Sequence, residues 1–228
     1  MGTIRFPDEA TVPSLGQGTW MMAEDPSGYA EEIAALRLGV ELGLTVIDTA
    51  EMYADGESER LVGEAIRPLR DEVFLVSKAF PLNASRERLP RACEASLERL
   101  GTDRLDLYLL HWRAGVPLGE TVEAMERLVD AGKIVRWGVS NLDTDDMDEL
   151  AGAGGGACQT DRVLYNLTRR SPEHDLLPWL SEHRMPVMAI ALWSKVACPR
   201  TRGSPPMPGS ATQPQRSWRS PGSSPART

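Results

Sequence analysis

Short apolar strands alternate with helical patterns along most of this chain, and this alternation limits the folds open to it. The run Leu44–Ile47 is apolar and β-branched, and it follows a helical stretch at Tyr29–Leu42 with apolar residues on one face. The alternation continues to a seventh strand that begins at Pro186. Strands joined by helical crossovers lie parallel in one sheet. Repeated past six units, the pattern predicts an α/β fold of the (β/α)8 or TIM-barrel type. A flavodoxin-like open sheet is the alternative, although no glycine-rich phosphate loop follows the first strand.

Composition and charge exclude several classes of protein. The 228 residues are 41% hydrophobic and 25% charged, which is ordinary for a globular protein, and the net charge of −8 argues against nucleic-acid or anionic-membrane binding. No apolar run approaches the ~20 residues of a transmembrane helix, and no secretory signal is visible. The three cysteines lack metal-binding spacing, so we expect reduced thiols and no metal site. These features predict a cytoplasmic protein, and we expect it to be a monomer if it folds.

The C-terminal stretch differs in composition from the rest of the chain. Between Ala197 and Thr228 there are seven Pro, six Ser and five Arg, but no Asp, Glu or Lys. A segment of this kind offers no apolar face to bury. We therefore expect a barrel domain at residues 1–192 that is incomplete at its C-terminal end. Residues 193–228 are expected to form a disordered low-complexity tail.

Polar residues stand at the ends of four predicted strands. They are Asp48 followed by Tyr53, then Lys78, then His111, and finally Ser140 with Asn141. In a barrel, the carboxyl ends of the strands meet on one face, where catalytic groups gather. Each of these residues also has an ordinary structural explanation. Asp48 could cap a helix or turn, Lys78 could be a solvated strand end, and His111 could be a hydrogen-bonded core histidine. Ser140 and Asn141 could form a turn. Their joint occurrence predicts a proton-transfer site.

The motifs around these positions resemble those of the aldo-keto reductase family. The matching stretches are Gly16–Trp20, Ile47–Tyr53, Val76–Lys78, Leu105–Trp112 and Gly132–Asn141. The resemblance runs from about Val12 to Ala189 and is greatest to the bacterial branch that includes methylglyoxal and diketogluconate reductases. It implies a (β/α)8 barrel that binds NADPH without a Rossmann motif and reduces aldehydes or ketones to alcohols.

The resemblance also implies a role for each polar strand end. Tyr53 would donate a proton to the alkoxide that forms when hydride reaches the carbonyl carbon. Its ordinary pKa of ~10 would be lowered by about two to three units by the nearby Lys78 ammonium. Asp48 would hold Lys78 charged and in place, and His111 would hydrogen-bond the carbonyl oxygen.

Further residues take cofactor and substrate roles by the same resemblance. Cofactor contacts are implied for Gly18, Thr19, Trp20, Asp48, Ser140 and Asn141, and substrate contacts for Trp20, Tyr53, His111 and Trp112. In this arrangement Ser140 and Asn141 bind the nicotinamide carboxamide. Trp20 and Trp112 form an apolar wall over the substrate.

Two departures from the family pattern bear on these expectations. The family has Asn-Gln on the sixth strand, with the Gln completing the carboxamide site, and here the pair is Asp161-Arg162. Gln159 does not replace it, because strand alternation puts it on the opposite face from Arg162. The second departure follows Ala189, where Ile190 stands in place of the Tyr that stacks on the nicotinamide.

The residues after Ala189 depart from the family altogether. Codons can be chosen for this stretch whose reading in another frame begins Tyr-Ser-Pro, which is compatible with a one-base deletion. We therefore expect weak NADPH binding and weak or absent activity in the chain as written. The alternatives are a barrel that serves as a binding or regulatory subunit, or a non-functional frameshifted product.

Overall fold

A computed structural model describes residues 2–190 of the chain. The predicted domain boundary at residue 192 and the predicted tail, residues 193–228, lie outside the described residues. The described strands are β1 Thr3–Arg5, β2 Thr11–Pro13, β3 Gly16–Gly18, β4 Val46–Asp48, β5 Phe74–Ala79, β6 Leu107–Leu110, β7 Trp137–Ser140, β8 Asp161–Leu164 and β9 Val187–Ile190. The helices are α1 Tyr29–Glu41, α2 Glu57–Ile66, α3 Arg88–Leu100, α4 Leu118–Asp130, α5 Thr144–Gly152 and α6 Leu176–Glu182.

Strand order decides between the two predicted architectures. β3 to β9 form one parallel sheet in which every strand pairs with the next strand along the chain, in the order β3-β4-β5-β6-β7-β8-β9. A doubly wound open sheet reverses its order at a switch point, and this sheet does not. The described residues thus form a curled sheet with seven strands of a (β/α)8 barrel. The barrel prediction is confirmed, and the open-sheet alternative is wrong.

The predicted boundaries differ from the observed ones by a few residues. The strand predicted at Leu44–Ile47 is observed as Val46–Asp48, so Asp48 is itself the last residue of β4. Leu44 is not in the sheet, because its amide donates to the Gly39 carbonyl of the preceding helix at 2.9 Å. Helix α3 ends as predicted at Gly101, which takes a left-handed conformation with φ of 62° that favours glycine.

Alternation along the strands separates two apolar layers. Ile47, Leu75 and Tyr108 belong to the large cluster between the sheet and the helices. Val46, Val76, Leu107 and Leu109 belong to a second cluster on the inner face, together with Phe6 and Val12 from the antiparallel β1–β2 hairpin. Because side chains alternate faces, the next inward positions toward the carboxyl end are Asp48, Lys78 and His111. The side chains of these polar residues therefore point into the barrel interior, at the carboxyl end of the inner apolar cluster.

The helices of the outer layer pack through their apolar faces. In α3, the buried residues include Leu89, Cys93 and Leu97, which recur at helical spacing. Helix α5 begins at an Asp143 cap whose carboxylate accepts from the Asp146 amide at 2.9 Å. Within residues 2–190 there is no helix whose length and apolar character would let it cross a membrane.

Candidate functional site

An ion pair at the ends of β4 and β5 is the centre of the site. The Lys78 ammonium lies 2.8 Å from Asp48 Oδ1 and donates to the Thr49 carbonyl at 2.5 Å. The Lys78 side chain is wholly buried, so its charge has no access to water. A buried ammonium persists only where such partners compensate its lost hydration. The pair therefore fixes the position of the amine at the carboxyl end of the strands.

Tyr53 reaches this pair from the loop after β4. Its hydroxyl lies 3.3 Å from Lys78 Nζ, and the ammonium lies 4.8 Å from the centroid of its ring. The loop turns back through Ala54 and Asp55, which hold left-handed conformations with φ of 48° and 52°. Non-glycine residues rarely adopt such φ values, and they persist where the surrounding structure holds them. The strained turn delivers the Tyr53 hydroxyl to Lys78.

His111 forms the next side of the site, directly after β6. Its ring packs edge-on to Tyr53 with centroids 5.8 Å apart and against Trp112 at 4.8 Å. Its Nδ1 is buried without a hydrogen-bond partner among residues 2–190. Burial lowers the pKa of His111 to about 3, and the positive charges of Lys78 and Arg162 act in the same direction. The imidazole is therefore neutral at physiological pH and can donate one hydrogen bond.

Arg162 on β8 belongs to the same cluster, which sequence reasoning did not anticipate. Its Nε and Nη2 donate to Asp48 Oδ2 at 3.0 and 2.6 Å, and Nη2 lies 3.5 Å from the Tyr53 hydroxyl oxygen. The side chain is 7% exposed. The signal that could have found it is strand alternation, which turns position 162 inward while Val163 packs in the outer layer.

Burial is the largest influence on the pKa values of Lys78 and Tyr53, whereas the charges of Lys78 and Arg162 together hold the pKa of Asp48 below its ordinary value. Burial lowers the pKa of Lys78 to about 8, against the favourable charge of Asp48 and with the help of Arg162. Burial also raises the pKa of Tyr53, and the charge of Arg162 offsets this only partly. The prediction that Lys78 lowers the pKa of Tyr53 by about two to three units is therefore wrong. Desolvation of the phenolate outweighs the neighbouring positive charge.

The predicted carboxamide-binding pair lies at the end of β7. Ser140 Oγ donates to the Arg162 carbonyl at 2.8 Å and accepts from Asn141 Nδ2 at 2.9 Å. Asn141 Nδ2 also contacts the His111 carbonyl at 3.1 Å, and Asn141 is left-handed with φ of 59°. These bonds tie the ends of β6, β7 and β8 together. They leave the exposed Asn141 amide oxygen without a hydrogen bond among residues 2–190.

Residues at and just after the end of β3 border the site, together with the two predicted wall tryptophans. Thr19 is fully buried and accepts a 2.8 Å hydrogen bond from the Ser58 hydroxyl. A Cβ added to Gly18 would meet no atom within 4 Å, so open space lies above this end of β3. Trp20 is 66% exposed, whereas Trp112 packs edge-on against Phe80 with ring centroids 5.6 Å apart.

A second buried carboxylate lies behind the site. Glu59 on α2 is fully buried, accepts from the Ser77 hydroxyl at 2.5 Å and pairs with Arg99 at 2.6 Å. Ser77 precedes Lys78 in β5, so this network holds the strand from its outer face. Among residues 2–190, no group of three His, Cys, Asp or Glu side chains is placed to hold a metal ion.

This fold and cluster agree with what comparison of the whole chain finds. The sequence profile of the Aldo/keto reductase family matches residues 14–217. The chain belongs to the aldo/keto reductase family. It is 58% identical over 189 residues to methylglyoxal reductase YeaE of Escherichia coli, a match covering 82% of this chain and 66% of that protein. It is 37% identical over 185 residues to aldo-keto reductase YhdN of Bacillus subtilis, with 75% and 55% covered. The chain thus spans less than two thirds of the length of these relatives.

Solved structures give the same result. A crystal structure of an aldo/keto reductase from Klebsiella pneumoniae in complex with NADP and acetate superposes with a TM-score of 0.81 at 59% identity. The match covers 83% of this chain and 67% of that one. A structure of an aldo-keto reductase from the same organism in complex with NADPH also gives a TM-score of 0.81 at 59% identity. The predicted family, and its bacterial branch, are confirmed.

Proposed function

We propose that the protein reduces aldehydes or ketones to alcohols with NADPH. The observation that carries this proposal is the placement of the Tyr53 hydroxyl, 3.3 Å from the Lys78 ammonium and beside the His111 ring. A proton donor, a cation and a neutral hydrogen-bond donor are the groups that a carbonyl needs as it becomes an alkoxide. Relatives that are 59% identical are described in complex with NADP or NADPH.

The residues present fit a nicotinamide cofactor in several respects. Open space lies above Gly18, and the Asn141 amide oxygen is available to accept from a carboxamide. His111 Nδ1 is a buried polar atom without a partner among residues 2–190. We propose that Gly18, Thr19, Trp20, Asp48, Ser140 and Asn141 hold the cofactor. When bound, it supplies the hydride.

The catalytic steps of the chain follow from the ionisation of its residues. Tyr53 keeps its proton at neutral pH because burial raises its pKa, so its hydroxyl can donate a proton when the reaction begins. As the alkoxide takes this proton, the growing charge on the Tyr53 oxygen is stabilised by Lys78 at 3.3 Å. Asp48 holds the amine in place. Neutral His111 donates to the carbonyl oxygen and orients it, with Trp20 and Trp112 excluding water.

We further propose that the protein is a monomer in the cytoplasm and acts on a small carbonyl compound. The catalytic groups proposed here all come from one chain. Cys93 and Cys158 are unpaired and buried, and reduced thiols persist in a reducing compartment. We place the protein in the cytoplasm for this reason. Methylglyoxal is the first substrate to test, because it is the compound in the name of the Escherichia coli relative.

A rate measurement on the full chain tests the proposal. The wild-type rate of NADPH consumption with methylglyoxal should be low, because Arg162 and Ile190 depart from the family pattern. It should fall by at least about 100-fold further in Tyr53→Phe, because proton transfer from a positioned acid is worth this much. Cofactor fluorescence should show that the variant still binds NADPH. The matched control is Tyr165→Phe, which removes a hydroxyl bonded to Glu173 at 2.7 Å outside the site and should leave the rate unchanged. Equal rates in the wild type and Tyr53→Phe would refute the assignment.

One observation favours a second candidate, a barrel that binds the cofactor without turnover. Arg162 donates two hydrogen bonds to Asp48 Oδ2, so the Asp48 carboxylate pairs with Arg162 as well as with Lys78. Saturable NADPH binding with no consumption for any of a panel of small aldehydes and ketones would support this binding or regulatory role.

A further inference from the structure

We propose that Arg162 is a positioning residue of the proton-transfer site, which shares the Asp48 carboxylate with Lys78 and holds a permanent positive charge beside the Tyr53 hydroxyl. The inference rests on the proposed function, because it assigns Arg162 to the same reaction. The geometry that carries it is a three-residue cluster around one carboxylate. Each oxygen of Asp48 faces a different cation, Lys78 at 2.8 Å and Arg162 at 2.6 Å.

Arg162 approaches Tyr53 almost as closely as Lys78 does. Its Nη2 lies 3.5 Å from the hydroxyl oxygen, compared with 3.3 Å for Lys78 Nζ. Its Nη1 makes no hydrogen bond among residues 2–190. The guanidinium is therefore held by Asp48 at one edge, and the same nitrogen that binds Asp48 Oδ2 points toward the proton donor.

The charges around the site do not cancel. Two cations, Lys78 and Arg162, share the single carboxylate of Asp48. His111 is neutral because its pKa lies at about 3. Glu59, behind β5, is itself paired with an arginine at 2.6 Å. The inner face of the barrel thus carries one positive charge in excess among these groups, beside a neutral Tyr53.

The two cations differ in how firmly they keep their charge. An arginine guanidinium is not deprotonated in proteins, whereas a buried lysine loses its proton readily. The pKa of Lys78 is lowered to about 8 by burial, with Arg162 contributing to the shift. As the pH rises through this value Lys78 becomes neutral, and Arg162 remains as the charge that stabilises a developing phenolate on Tyr53.

Titration of Lys78 in the protein without cofactor or substrate tests this arrangement. The chain has only three lysines, so selective isotope labelling of lysine gives a spectrum in which the Lys78 signal can be assigned by substitution. The wild-type midpoint is expected at about 8. In Arg162→Gln, the midpoint should rise by about one pH unit or more, because a neighbouring positive charge has been removed. An unchanged midpoint would overturn the proposal.

Two further variants serve as a replacement and a control in this experiment. Arg162→Met fills a similar volume without a buried amide and carries the same expectation, in case Arg162→Gln does not fold. Arg136→Gln is the matched control, since Arg136 also pairs with a carboxylate, Asp8 at 2.9 Å, but at the amino end of the barrel. It should leave the Lys78 midpoint at the wild-type value. A shift in this control equal to that in Arg162→Gln would show a general charge effect and overturn the proposal.

Activity gives a second readout, which separates this inference from the proposed function. Lys78→Met should keep a residual NADPH-consumption rate at alkaline pH, because Arg162 still faces Tyr53. The double variant Lys78→Met/Arg162→Gln should be at least about tenfold slower than Lys78→Met. Equal rates in the two variants would contradict a role for Arg162 at Tyr53. A wild type without any reductase activity would refute the proposed function instead, and the lysine titration would still decide whether Arg162 is coupled to Lys78.

Discussion

Replacing Asp161, a buried acid at the first position of β8, by asparagine should make the protein more stable at neutral and alkaline pH. The residue is wholly buried, and neither carboxylate oxygen accepts a hydrogen bond of normal geometry among residues 2–190, although three backbone amides lie near them. Burial raises its pKa from 3.8 to about 7, although the nearby backbone amides of Leu142, Arg162 and Asn141 act in the opposite direction. In the unfolded chain the group ionises near its ordinary value. The folded state must therefore keep a proton that the unfolded state gives up.

The size of the effect follows from this difference in pKa. Each pH unit between the two values is worth about 1.4 kcal/mol, so the carboxyl destabilises the folded state by about 4 kcal/mol above pH 7. Its sign follows from the raised folded pKa. The stabilising contribution of the protonated carboxyl is complete below pH 3.8 and is lost as the pH rises through about 7. Asp161→Asn has nearly the same shape and no charge, so it should avoid the loss.

Urea unfolding of the full chain at pH 4.5 and pH 8 measures this. The free energy of unfolding of Asp161→Asn minus that of the wild type should grow by about 3 kcal/mol between the two pH values. The matched control is Asp145→Asn, an exposed acid in the first turn of α5, which should give a nearly constant difference. A difference for Asp161→Asn that does not change with pH would refute the argument, since it would mean that the carboxyl ionises in the folded state as it does in the unfolded chain.

Three further predictions test other parts of the structure. The His111 imidazole should show no protonation midpoint between pH 5 and 8, because its pKa lies at about 3; a midpoint near 6.5 would contradict its burial beside the positive charges of Lys78 and Arg162. Gly63→Ala should destabilise the protein by about 1–3 kcal/mol, because the new Cβ would lie 2.5 Å from the last carbonyl of α3, whereas Gly119→Ala on the exposed face of α4 should be neutral or slightly stabilising. Cys93 and Cys158 should react with a thiol reagent only after denaturation, because burial raises the pKa of both to about 12; fast labelling of either in native buffer would disprove this.

The sequence was sufficient to predict which residues of the first strands meet in the site. A parallel strand fixes the face of every side chain once one is known, and Val46 and Val76 are apolar residues two positions before Asp48 and Lys78. Helical crossovers then bring the strand ends together. Boundaries were less predictable, as the strand predicted at Leu44–Ile47 shows. Gly43 marks the end of the helix, but the apolar pattern does not show that the Leu44 amide bonds back to the Gly39 carbonyl instead of joining the sheet.

The ionisation of Tyr53 could not be predicted from the sequence in the same way. The presence of Lys78 nearby follows from strand order, and its charge favours the phenolate. The depth at which both groups are buried depends on every surrounding side chain, and here burial is the larger effect and has the opposite sign. Residue types and spacing therefore predicted the neighbours of Tyr53 correctly but gave the wrong direction for its pKa.

Asp161 and Arg162 show why the substituted pair on β8 could not be interpreted from its sequence. Two adjacent opposite charges suggest mutual neutralisation, but neighbours in a strand point to opposite faces. Arg162 turns inward to Asp48, which is 114 residues away in the chain. In the outer layer, Asp161 has no ion-pair partner within the part of the chain that the structure describes. After burial, the pKa of Lys78 is shifted mainly by Asp48 and Arg162, whereas that of Asp161 is raised by burial and by the charge of Asp146. The two positions should therefore separate by experiment: Asp161→Asn should change the pH dependence of stability while leaving the Lys78 midpoint at about 8, and Arg162→Gln should move that midpoint. If Asp161→Asn moved the Lys78 midpoint as far as Arg162→Gln does, the two residues would act as one ion pair, and the alternation argument would fail.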